Sequence, residues 1–140
     1  MNMHPLWLAP DRVLYLRLDP NPENWSSQIS PVIRLLDDLR GQPATHLVLD
    51  ANQIHHARQH GTTIAEALYP LVKHQQVNWI VAITTNLTAQ ALFNRIASQN
   101  QARWRNMGSL SAATQYLQEQ DRLLPILPSD LRGLKQASSR

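Results

Sequence analysis

The sequence predicts an α/β domain built on a small, mainly parallel sheet, with elements in the order β-β-α-β-α-β-α-β-α. Three observations carry this. Short apolar or alternating runs recur along the chain, and stretches with helical apolar spacing separate them. Short loops join the two kinds of element, the pattern of crossover-connected parallel strands. The run "NWIVAITT" is almost entirely apolar or β-branched, as a strand covered on both faces should be.

"PLWLA" reads as a short edge strand over 5–9, and Pro10-Asp11 as a turn. In "RVLYLRL" over 12–18, Val13, Tyr15 and Arg17 alternate with Leu14, Leu16 and Leu18, which predicts a strand with two distinct faces. "DPNPEN" breaks the pattern. The helix after it carries Trp25, Ile29, Val32, Ile33, Leu36 and Leu39 on one face. Pro31 leaves two starts open: a helix from Trp25 that kinks, or Ser30 as N-cap with Pro31 in the first turn. Gly41 is a natural stop. "THLVLDA" over 45–51 reads as a buried strand. "TTIAEALYPLVKHQ" reads as a helix capped by Thr63, which stands in capping-box spacing with Glu66, and Pro70 should kink it near Glu66. A strand over 78–85 and a helix over 88–98 follow, with Leu92, Phe93 and Ile96 inward. "ARWRNM" over 102–107 makes a weak strand. Ser109 or Ser111 caps the last helix, which turns Leu110, Ala113 and Leu117 inward.

Residues 1–121 form the predicted domain, and 122–140 form a tail. The tail is unusually apolar, with Leu123, Leu124, Ile126, Leu127, Leu131 and Leu134. It should pack on the domain or on a second copy, while 136–140 stay disordered.

Composition narrows the function classes. The chain has 140 residues, 43% hydrophobic and 16% charged, as a globular domain should. No apolar run is long enough to span a bilayer and no signal-peptide pattern opens the chain, so a cytoplasmic protein without membrane insertion is expected. The absence of cysteine removes disulfides, thiol catalysis and thiolate metal sites. The net charge of +3 is weak, and no basic run occurs. Arg103-Trp104-Arg105 is the sole local hint of a nucleic-acid contact, and no nucleic-acid partner is expected.

Two stretches carry a resemblance. "LVLDANQIHHARQHGTTIAEAL" takes a strand ending in aspartate through a short loop into a helix, and "RWRNMGSLSAATQYL" takes a strand through a small residue and serine into a helix bearing alanine and leucine. With the element order, these resemble the STAS family, the domain of bacterial anti-sigma-factor antagonists that also occurs in sulfate-transporter tails. The resemblance covers about 5–121. It implies a regulatory domain that works by protein–protein contact, without catalysis or cofactor. Phospho-switched members of that family carry an Asp-Ser pair at the start of the second helix. Here the place reads "ARQHGTT", without serine, and Thr62 and Thr63 are the nearest candidate phosphoacceptors.

The residues themselves offer few competing sites. His56 and His60 have the spacing of two metal ligands on a helix, but no third ligand accompanies them except Asp50, and no metal site is expected. Asp50 ends a central strand, where open α/β sheets bind ligands. It lacks the acidic pair and the lysine of a receiver domain, so it should cap the loop backbone. Nucleophile-elbow and phosphate-loop motifs are missing, and the four glycines are scattered. Asp37 and Asp38 are helix neighbours that diverge, so they should belong to a solvated face near Arg34 and Arg40. The expected contact edge is therefore Ile54, His55, His56, Arg58, His60, Thr62 and Thr63. A protein partner is expected there, with homodimerisation as an extension. The alternative is a small-molecule or lipid-binding module that uses a groove beside the sheet.

Overall fold

The computed structural model describes residues 4–138. Its strands are β1 (Leu6–Ala9), β2 (Val13–Arg17), β3 (Thr45–Asp50), β4 (Val77–Ile83) and β5 (Arg103–Met107). Its helices are α1 (Trp25–Asp38), α2 (Gly61–Val72), α3 (Leu87–Gln99) and α4 (Leu110–Gln120). Short 3-10 turns at Pro22–Asn24 and Ala57–His60 lead into α1 and α2. The strands lie side by side in chain order, β1-β2-β3-β4-β5, with β1 antiparallel to β2 and the other pairs parallel. The expected fold class and element order are both present.

The monotonic strand order decides the layering. Each crossover from β2 to β5 moves in the same direction across the sheet, and crossovers share one hand, so all three helices fall on one side. Leu14, Leu16, Leu47, Leu49 and Ile80 meet Trp25, Ile29 and Leu36 of α1, Ile64 and Leu68 of α2, and Phe93 of α3 in a single core. Val13, Tyr15, Val48, Val81 and Ile83 face the other way, where three crossovers leave the sheet uncovered. Ala113 and Leu117 of α4 cover part of that face, and Leu124 and Leu127 of the tail cover more.

The tail then turns round the sheet edge. Gln136 forms an antiparallel bridge with Leu6, the Trp7 amide donates to the Lys135 carbonyl at 3.0 Å, and the Ala137 amide donates to the Pro5 carbonyl at 2.8 Å. Ala137 reaches the helix-side core. The pairing covers β1, whose free edge would otherwise offer unpaired backbone groups. Residues 136–138 thus depart from the expected disorder, because β1 supplies their backbone partners; 139–140 lie outside the described residues. Two of the six tail aliphatics also depart from the expected packing. Leu123 is 87% and Ile126 90% exposed, since each alternates with a leucine that turns inward.

Both helix prolines lie inside continuous helices. Of the two starts left open, α1 therefore begins at Trp25, and Ser30 is an interior residue whose hydroxyl donates to the Ser26 carbonyl. Pro31 and Pro70 are exposed, as are Ser27 and Glu66, whose carbonyls each lose an amide partner, so water can replace it. The helix predicted to start at Thr63 starts earlier. The turn Ala57–His60 runs directly into Gly61, so Thr63 is inside α2, His60 occupies the cap position, and no side chain caps it. The Thr63–Glu66 capping box is therefore not formed. Ser109 does cap α4, accepting the Ala112 amide at 3.1 Å, and Asn86 caps α3 through the Ala89 amide at 3.0 Å.

Candidate functional site

The carboxyl ends of β2, β3 and β4 form one edge of the sheet. β3 finishes at Asp50, whose two carboxylate oxygens both have partners. Oδ1 accepts the Asn52 amide at 3.1 Å and Oδ2 accepts the Tyr15 hydroxyl at 2.5 Å. Asp50 therefore caps the loop backbone, as the sequence suggested. Burial, then the hydrogen bond to Asp50 and its charge, push the Tyr15 hydroxyl above its ordinary pKa.

Three apolar side chains anchor the loop after Asp50. Ala51, Ile54 and Ala57 are buried in the helix-side core. The His55 amide donates to the Pro20 carbonyl at 2.8 Å, which ties the loop to the segment after β2. With those positions anchored, His55, His56 and Arg58 turn outward and are exposed. The two imidazoles meet edge to face with ring centroids 6.3 Å apart. His56 has φ 53° and ψ 44°, a left-handed conformation that strains a residue with a Cβ. Thr62 is exposed in the first turn of α2, while His60 and Thr63 are half-buried.

The expected edge residues thus share one loop and helix start, but they do not all face one way. Ile54 is a core anchor, not a contact residue. His56 and His60 do not assemble a ligand set, and among the described residues no group of three His, Cys, Asp or Glu could hold a metal ion.

Sequence reasoning missed the other wall of this edge. A groove of about 470 Å³ runs between the loop and α3, lined by Ala57, Arg58 and Gly61 on one side and by Leu87, Thr88, Leu92 and Arg95 on the other. Leu87 is 78% exposed. A leucine in the first turn of α3, off the inward stripe of Leu92, Phe93 and Ile96, was the available signal.

A second polar cluster was also missed, at the opposite edge. His46, inside the apolar run of β3, is fully buried. One extra β4 residue shifts the β3–β4 register between Thr45 and Leu47, and the Trp79 amide there donates to His46 Nδ1 at 3.2 Å. Nδ1 is thus an acceptor, so Nε2 carries the hydrogen and donates to Asp121 Oδ2 at 2.9 Å. Arg12 Nη2 donates to the same oxygen at 2.6 Å, and Arg12 Nε donates to the Ala44 carbonyl. Asp121 Oδ1 accepts the Leu123 amide at 3.1 Å, where the tail begins. Burial holds the His46 pKa below its ordinary value against the pull of Asp121. Burial pushes Asp121 up, but the His46 hydrogen bond, the Leu123 amide and the Arg12 charge outweigh it and hold the carboxyl low. These bonds fasten the end of α4 and the start of the tail to the sheet. The signal for it was a lone histidine in an otherwise apolar strand.

The remaining candidates are structural. Asp37 accepts from His74 Nε2 at 2.8 Å and pairs with Arg40 at 3.4 Å. Arg103 and Arg105 point away from Trp104, which packs on Phe93, and Arg105 lies over the Tyr116 ring. The tripeptide therefore offers no continuous stacking surface. Among the described residues no helix is long and apolar enough to cross a membrane. No protein-family model, no curated protein and no solved structure matches this chain.

Proposed function

We propose that this chain is a non-enzymatic regulatory or scaffolding domain, similar to STAS-type regulators, that acts by protein–protein contact at the carboxyl edge of its sheet. The observation that best supports the reading is the outward display of His55, His56 and Arg58 from a loop pinned by Ile54 and Ala57. A loop backbone already anchored at buried positions has less entropy left to lose when a partner docks. Within this reading Thr62, exposed in the first turn of α2, is a better candidate phosphoacceptor than half-buried Thr63. Affinity capture from a lysate of the source cell is the test, with wild type compared against a His55→Ala, His56→Ala, Arg58→Glu variant. A protein retained by wild type and lost by an equally stable variant supports the proposal. Equal retention by both counts against it. The groove beside Arg58 favours a second reading, a small-molecule or lipid-binding module, and native mass spectrometry of freshly purified protein would reveal a bound small molecule.

A further inference from the structure

Building on the contact role proposed for this edge, we propose that the groove between the β3–α2 loop and α3 docks an acidic segment of a partner protein, one that sets an aliphatic side chain between carboxylates. The groove has an apolar base and wall formed by Ala57, Leu87 and Leu92, with Arg58 on one bank and Arg95 on the other. Among the described residues no carboxylate lines it. Among the described residues neither guanidinium has an ion-pair partner. Gly61 and Leu87 begin α2 and α3, so the positive ends of two helix dipoles add to the same field. Charge complementarity therefore selects an anionic partner, and the flanking arginines can take carboxylates as bidentate acceptors. The exposed Leu87 selects an apolar side chain between them.

Other anionic occupants fit less well. Among the described residues no aromatic side chain lines the groove, so single-stranded nucleic acid would find no base-stacking platform there. Two arginines fall short of the basic clusters that hold proteins on anionic lipid. A volume of about 470 Å³ suits a few side chains of a peptide.

The test is fluorescence anisotropy on the full chain with short labelled peptides: leucine–glutamate, leucine–lysine, leucine–glutamine and serine–glutamate. Phosphatidylserine vesicles and an oligothymidine strand serve as competing probes. The leucine–glutamate peptide should bind roughly tenfold tighter than the other peptides and weaken with added salt. Arg58→Glu with Arg95→Glu should remove at least as much affinity, the Arg58→Gln, Arg95→Gln pair less, and Leu87→Ser a part. Thermal midpoints should not move in these variants, because the three side chains are exposed. Amide shifts on binding should map to 57–61 and 87–95. The proposal falls if the four peptides bind alike, if the arginine variants bind as wild type, if the shifts map elsewhere, or if vesicles or oligothymidine bind tighter. If the peptides fail while a captured protein still cross-links to 55–63, the partner chemistry alone is wrong. If no protein is captured either, the contact role falls with it.

Discussion

The two edges of the sheet use similar side chains to opposite ends. At the amino edge, Arg12, His46 and Asp121 satisfy one another and fasten the tail. At the carboxyl edge, His55 and His56 are exposed, and Arg58 and Arg95 stand in solvent beside an apolar groove. The difference lies in what the backbone brings to each edge. A register shift at the start of β4 gives His46 an amide to accept, and α4 delivers a carboxylate to its other nitrogen. The loop after β3 commits Ala51, Ile54 and Ala57 to the core, and His55, His56 and Arg58 stay exposed. Basic and imidazole groups in a sequence therefore say little about function until their partners are known.

The largest expected effect comes from removing what the amino edge holds. Truncation after Asp121 takes Leu124, Leu127 and Ala137 out of the two cores. Urea unfolding should show a loss of about 3–6 kcal/mol. A loss under about 1 kcal/mol would mean that the second face of the sheet needs no cover. Asp121→Ala keeps the tail but leaves a buried imidazole N–H and Arg12 without their acceptor, and should cost about 2–4 kcal/mol.

Acid should act on the same edge. The folded His46 pKa lies below its unfolded value of about 6.5, so the fold favours the neutral ring. That stability is present above pH 6.5 and is lost as pH falls, because the unfolded chain binds the proton more readily. A proton on Nδ1 would also confront the Trp79 amide. Asp121 is likewise held low, so its contribution is lost below about pH 4, in the same direction. His46→Gln can keep one acceptor and one donor without titrating. It should flatten the upper part of the acid limb in a series of unfolding curves, and an unchanged limb would assign the acid sensitivity elsewhere.

At the carboxyl edge the expected stability effects are small. His56→Gly should stabilise by about 0.5 kcal/mol, since relief of the left-handed strain outweighs the added chain entropy. Arg58→Glu and Arg95→Glu should each stay within about 0.5 kcal/mol of wild type. Thr63→Ala should do the same, where a true N-cap would cost about 1 kcal/mol. A large destabilisation by either arginine substitution would erase the contrast between the edges.

Sequence reasoning reached the sheet and most helix boundaries because periodicity records which face of each element is buried. The alternation of Val13 and Tyr15 with Leu14 and Leu16 divides these residues between the two cores as their spacing implied. The caps at Asn86 and Ser109 are local hydrogen bonds of the kind a sequence can display, although only the second was anticipated. The start of α2 was misplaced because Thr63 and Glu66 have cap spacing, yet the buried side chain of Ala57 draws the preceding residues into a helical turn. Of the groove at the carboxyl edge, the β3–α2 loop was legible as a loop and the α3 wall was not. Leu87 and Arg95 lie 29 and 37 residues beyond Arg58, and only the packing of α3 beside the loop joins them to it.

By itself, the sequence determined the alternation of strands and helices, the two-faced character of β2, and an apolar tail that needed cover. These are local matters of period, propensity and solvation. The tertiary structure alone decided where that cover was required. Because the strands lie in chain order and their crossovers share a hand, three helices occupy one face and leave the other to α4 and the tail. It also decided which polar groups were consumed. Whether a histidine is a buried fastener like His46 or an exposed group like His55 depends on amides and carboxylates brought from distant parts of the chain, a pairing that no local pattern encodes.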